Sequence, residues 1–349
     1  MRARSLLLLA AFVPLICGCG SVRYYSQAVR GHLDLMRRAA PIEEVLARDA
    51  VAPALNAKLQ VVLQIRDFAS RELALPDNGS YRRYADLGRQ YVAWNVFAAP
   101  EFSIEPVRYC FPFAGCVGYR GYFAESDAQA ESAALRARGY DAYVGGVPAY
   151  STLGWFDDPV LNTFIHYPDA ELARLIFHEL AHQKLYIKDD TRFNESFATT
   201  VEQAGVERWL AQHGSDRDRD TYDRSQRRKR EFVALVLKYR TLLQEYYRQD
   251  RPVEEKRLGK AQRFAEMEQE YAELKRSWDG FAGYDRWFSA RPNNATLVSV
   301  ALYTELVPAL RALLAREGGD LPRFYAAAKE LAKLSKEERD ARLASVAKD

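Results

Sequence analysis

Two histidines, His178 and His182, stand four positions apart in FHELAHQ, with Glu179 directly after the first and Glu195 thirteen positions beyond the second. Four residues advance a helix by about 6 Å and little more than one turn, so both imidazoles leave from one face. Two imidazoles so placed can ligate one Zn²⁺. Glu179, one step round the helix, reaches a water on such an ion without being a ligand, which is where a general base must stand. Glu195 supplies the third ligand if the chain turns back promptly. The first helix runs out near Tyr186, IKDDT makes a short polar connection, and Asp190 or Thr191 caps a second, antiparallel helix with Glu195 in its first turn. One Zn²⁺ per chain is the expected cofactor. The competing reading is a core helix that happens to carry imidazoles, because Leu175, Ile176, Leu180, Ala181 and Leu185 would pack it without any metal.

Residues 22–75 repeat apolar positions at helical steps and end at Pro76 and the turn cluster Asp77-Asn78-Gly79. A short polar helix is expected next. Residues 91–99, 102–112 and 115–124 are rich in β-branched and aromatic side chains and read as strands; 124–139 is a helix ending at Gly139; 140–154 is a further strand. From Asp169 onward the chain is almost all helix, with two long segments flanking Pro252 and final helices over 295–316 and 320–347. The expected class is α+β, mainly helical: a small antiparallel sheet region, then a helical C-terminal part bearing the zinc-helix pair. Residues 19–168 and 169–349 are the two parts, joined in one catalytic unit.

The chain has 349 residues and a formal charge of +3 from 50 basic and 47 acidic side chains, which gives no concentrated basic face and no reason to expect a nucleic-acid partner. Its 21 Tyr, 17 Phe and 5 Trp argue for a folded protein. The mixed-sign run over 215–230 reads as a solvated helix face.

Residues 1–18 read as an export signal: Arg2 and Arg4 precede an apolar run over 6–16, too short to span a bilayer as a mature helix. Gly18 before Cys19 resembles the bacterial lipoprotein processing box, with Cys19 carrying the lipid; an ordinary secretory signal is the alternative. Gly20, in place of Asp, resembles the pattern of lipoproteins sorted to the outer membrane. The expected location is therefore the bacterial cell envelope, lipid-anchored and facing the periplasm. Export places Cys110 and Cys116 in an oxidising compartment, where so close a pair forms a structural disulfide.

HELAHQ followed by NESFAT resembles the gluzincin metallopeptidases, in which H-E-x-x-H is completed by the glutamate of N-E-x-x-A; Asn194-Glu195-Ser196-Phe197-Ala198 matches that setting. The connection is shorter than in thermolysin or aminopeptidase N-like enzymes. Together with the signal, CFPFAGCVGYRGYF and GVPAYSTLGWFDDP, the chain resembles a bacterial family of zinc aminopeptidases of lipoprotein type. The resemblance implies a peptide or protein substrate. It implies a mechanism in which a zinc-activated water loses its proton to Glu179 and attacks the scissile carbonyl.

The G-x-M-E-N strand with which aminopeptidase N-like enzymes hold the substrate amine is missing. Residues 145–159 stand in the comparable place, where Gly145, Gly146 and Tyr150 could line an edge strand that pairs with an extended peptide. Asp157, Asp158 or Glu202 could take the amine, although Glu202 also fits a carboxylate supporting the ligands. Tyr303 or Tyr150 could donate to the oxyanion, although each also fits a hydrogen-bonded core tyrosine. An endopeptidase of envelope proteins and a non-catalytic lipoprotein scaffold remain as alternatives to the aminopeptidase.

Overall fold

The computed structural model describes residues 19–49, 51–111 and 115–346. The expected signal over 1–18 and the side chain of the expected lipidation site, Cys19, lie outside the described residues.

The expected N-terminal helical region is three helices and a two-residue strand: α1 (Cys19–Arg38), β1 (Ala40–Pro41), α2 (Ile42–Leu46) and α3 (Pro53–Arg71). No polar helix follows. Tyr81 has a positive φ of 62°, and β2 (Arg83–Ala85) pairs antiparallel with β1 and parallel with β8 (Val160–Leu161). Pairing with segments far along the chain overrides the local polar pattern.

The second sheet is ordered β6-β3-β7, with β3 (Ala93–Pro100) between β6 (Tyr119–Tyr122) and β7 (Tyr140–Val147), both antiparallel to it. β4 (Tyr109–Phe111) and β5 (Gly115–Val117) form a hairpin closed by the Cys110–Cys116 disulfide. Two strand expectations shrink. Most of 102–112 is irregular between Pro100 and Pro106, and β7 stops at Val147 because Pro148 has no N–H for a ladder. α4 (Glu125–Ala137) ends ahead of Gly139, whose φ of 82° suits a residue without Cβ.

α5 (Asp169–Lys184) and α6 (Thr191–His213) pack together as a helical hairpin. A Cβ on Gly205 would sit 2.7 Å from the Phe177 ring and 2.8 Å from Leu73, so glycine permits the close approach. Then come α7 (Asp216–Arg248), α8 (Val253–Ser277), α9 (Asp285–Ser289), α10 (Asn294–Thr304), α11 (Val307–Arg316), α12 (Leu321–Ala332) and α13 (Lys336–Val346). Residues 294–316 have the length and apolar content of a bilayer-crossing helix, yet Glu305 and Leu306 divide them and both halves pack against α6. The main core takes side chains from both sides of residue 168, from Leu35 to Val346.

The α5–α6 connection is fastened from three directions. Asp190 caps α6 by accepting from the Phe193 N–H at 3.1 Å, and its other oxygen accepts from Arg339 of α13 at 2.6 and 3.1 Å. Asn194 returns to the connection, accepting from the Ile187 N–H and donating to the Ile187 carbonyl, each at 2.7 Å. Cys116 N–H donates to Asp189 Oδ1 at 2.6 Å, docking the disulfide hairpin on the same turn. The Asp190–Arg339 pair is buried on both sides, so removing one partner strands a charge. Arg339→Met is expected to lower the unfolding free energy by about 3 kcal/mol in urea denaturation. A loss below about 1 kcal/mol would show that the pair behaves as an exposed one.

Candidate metal centre

His178 and His182 project from α5 toward Glu195 in the first turn of α6. The hairpin brings the three residues together. His178 Nε2 lies 3.2 Å from His182 Nε2 and 3.3 Å from Glu195 Oε2, and His182 Nε2 lies 3.6 Å from the same oxygen. Zinc bound tetrahedrally at 2.0–2.1 Å has ligand atoms roughly 3.3 Å apart along each edge. The triangle in this chain has the dimensions of one face of that tetrahedron.

Proton bookkeeping points the same way. His178 Nδ1 lies 2.9 Å from Glu202 Oε2, so an N–H at Nδ1 donates there and leaves Nε2 a bare lone pair facing the others. Glu202 is buried and also accepts from Arg174 at 3.0 Å, while Lys229 stands 3.7 Å from its second oxygen. Burial alone would raise Glu202, but the Arg174 and Lys229 charges and the His178 contact hold it near pKa 2. Glu195 also falls to about 2 despite burial, through His182 and His178. Burial lowers His178, yet its contacts with Glu195 and Glu202 and the charges of Glu202 and Glu179 push it up to about 10. The pocket therefore favours a cation between its carboxylates, and in the metal-free protein a proton on His178 fills that need. His182 lacks comparable support: its Nδ1 is buried without a hydrogen-bond partner among the described residues.

Two cavities, of about 490 and 370 Å³, meet here and share Asn95, Val147, Ala149, His178, Glu179 and Tyr303. Gly145, Gly146 and Glu202 line the larger; His182, Glu195 and Tyr150 line the smaller. β7 is an edge strand, and its last residues form one cleft wall. Tyr303 is raised well above 10 by burial and by the Glu195, Tyr119 and Glu179 charges, so it stays a neutral donor close to the ligand set. Tyr150 lines the smaller cavity packed on Phe123 and His32, with burial raising it to about 12. Asp157 and Asp158 line neither cavity. Asp158 is buried against the Thr152 N–H, and burial raises it to about 7.

Residues 23–343 match the family model described as "Putative aminopeptidase". The chain belongs to that family. No curated protein and no solved structure matches it. Membership in this aminopeptidase family supports peptidase activity.

Sequence reasoning missed Tyr119 and Tyr186. Both line the smaller cavity, and the Glu195 charge helps to raise both, after burial. Tyr119 reaches the site through the register of β6 on β3, which no local pattern reveals. Arg174 was missed as well, although a signal for it exists: it precedes His178 by one helical turn, where it can meet a carboxylate seven residues past Glu195.

A metal entering this site must displace the His178 proton, so affinity rises with pH below about 10. Chelator-competition titrations of the purified protein between pH 6 and 8 are expected to show apparent zinc affinity rising about tenfold per unit. A flat profile would contradict the proton count. Glu202→Gln is expected to weaken zinc binding by about 10- to 100-fold.

Proposed function

We propose that the protein is a zinc-dependent aminopeptidase of gluzincin type, held by a lipid on Cys19 at the periplasmic side of a bacterial membrane. The observation that carries the zinc reading is the triangle of lone pairs from His178, His182 and Glu195, with tetrahedral-edge spacing, at the junction of two cavities. The envelope location rests on the Arg2–Cys19 pattern.

Zinc held by these three residues supplies a Lewis acid that lowers the pKa of a water and polarises a carbonyl. Glu179, which lines both cavities, accepts the proton of the attacking water and delivers it to the departing amine. Glu202 holds the His178 tautomer, and Arg174 keeps Glu202 ionised. Tyr303 donates its hydroxyl to the developing oxyanion, a role its raised pKa permits. An extended peptide lies along the outer edge of β7, where Gly145 and Gly146 keep the backbone accessible.

One observation favours the endopeptidase alternative. Among the described residues, the carboxylates lining the two cavities are Glu179, Glu195 and Glu202, and the roles above engage all three. An amine site must therefore share one of them.

Glu179→Gln is expected to retain stoichiometric zinc while kcat falls by about 10²- to 10⁴-fold. Full activity in that variant would remove Glu179 from the mechanism. Digestion of a peptide library with free and acetylated N-termini separates the two readings: the aminopeptidase leaves acetylated peptides intact, and the endopeptidase cuts both. Loss of activity with a chelator is expected in either case.

A further inference from the structure

Ten large apolar side chains are exposed among the described residues, and six of them gather in one region. Val22, Tyr25, Val29 and Leu33 follow one another on α1 at steps of three, four and four, each 43–65 % exposed. That spacing places them in one stripe along the helix. Trp155 (74 % exposed) and Phe156 (52 %) extend it, because the Phe156 ring lies 4.5 Å from that of His32, the neighbour of Leu33. The opposite face of α1 is occupied: Leu35 is buried in the main core, and Tyr24 packs on Tyr122.

Arg23, Arg30 and Arg37 recur at seven-residue steps, about a quarter turn round the helix from the apolar stripe. From residue 22 to 38 the helix carries four arginines, these three and Arg38, against the single Asp34. Arg23 pairs with Asp127 at 2.8 Å and Arg38 with Asp34 at 3.0 Å, so Arg30 and Arg37 are the two whose charge is unpaired among the described residues. An apolar stripe with aromatic residues and a cationic flank is the pattern of a helix lying in a bilayer interface. The stripe begins three residues after Cys19, where the apolar segment over 6–16 gives way to the folded chain. Two copies meeting through this face would bring their arginine rows together, which disfavours a self-association surface.

We propose that this face of α1, with Trp155 and Phe156, docks on an anionic lipid bilayer surface independently of any lipid on Cys19. Tyr24 and Ala28 of α1 and Leu153 of the neighbouring loop line the smaller cavity beside His182 and Glu195. The docking helix is thus also a wall of the cleft, contributed from the side away from the stripe, so docking holds the cleft beside the membrane surface with α1 between them. The proposal does not rest on the zinc reading.

The test uses the chain from Gly20 onward, which has no lipid and keeps all three core clusters, since they are built from residues after Cys19. Sedimentation with vesicles of phosphatidylglycerol and phosphatidylethanolamine is compared with vesicles of phosphatidylcholine alone. The protein is expected to partition onto the anionic vesicles. Val29→Asp with Leu33→Asp is expected to reduce partitioning at least tenfold on both compositions. Arg30→Gln with Arg37→Gln is expected to reduce it roughly thirtyfold on the anionic vesicles only, at about fivefold per charge. An unchanged melting temperature shows that each variant folds; if the aspartate pair does not, the arginine pair carries the test. No partitioning of the parent protein, or equal partitioning of folded variants, overturns the proposal. So does a lipid-free dimer that the aspartate pair dissolves, which would assign the face to a second copy.

Discussion

Bare lone pairs repel, and a fold that aims three of them at one buried point must supply a cation or forfeit stability. His178, His182 and Glu195 present that problem, with Glu202 and Glu179 adding negative charge around it. The metal-free chain answers with a proton on His178. A divalent ion answers better, since it meets all three lone pairs at once. The rest of the architecture acts to keep the three atoms from relaxing apart.

That restraint comes from outside the two ligand helices. The connection between them is only six residues long, and it is held by the Asp190–Arg339 pair, the Asn194 contacts with Ile187 and the disulfide hairpin at Asp189. A second clamp bears on the end of α5. Arg66, fully buried, donates to the carbonyls of Ser80 and Pro76 and so shapes the turn after α3. Asn78 and Ser80 of that turn then bond the Gln183 side chain, one residue past His182. The α+β layout has a direct use: the sheet and the irregular segments bear on the α5–α6 hairpin and wall the cleft that it opens into.

What could be read from the sequence was what local rules govern. The spacing of His178, His182 and Glu195, the cap at Asp190, the end of α4 before Gly139 and the break at Pro252 all follow from short-range geometry, and the structure places each where that geometry predicts. The misses share a different cause. Residues 80–90 look polar and helical, but β2 is decided by partners about forty residues before it and seventy-five after it. Composition suggests strand character from 148 to 154, while Pro148 ends the ladder. The apolar run from 295 to 316 is the exception, because Pro308, in the first turn of α11, is a local sign of its division at Glu305 and Leu306. Tyr119 and Tyr186 reach the site through tertiary packing, and 21 tyrosines offer no local means of choosing among them.

A single ion shared by two helices is the claim on which the chemistry stands. Diffraction from crystals grown with zinc, recorded on both sides of the zinc absorption edge, addresses it without reference to activity. The account predicts one strong anomalous peak per chain, equidistant within error from His178 Nε2, His182 Nε2 and a Glu195 carboxylate oxygen. Zinc located elsewhere, or a peak at the histidines with Glu195 turned away, would contradict it.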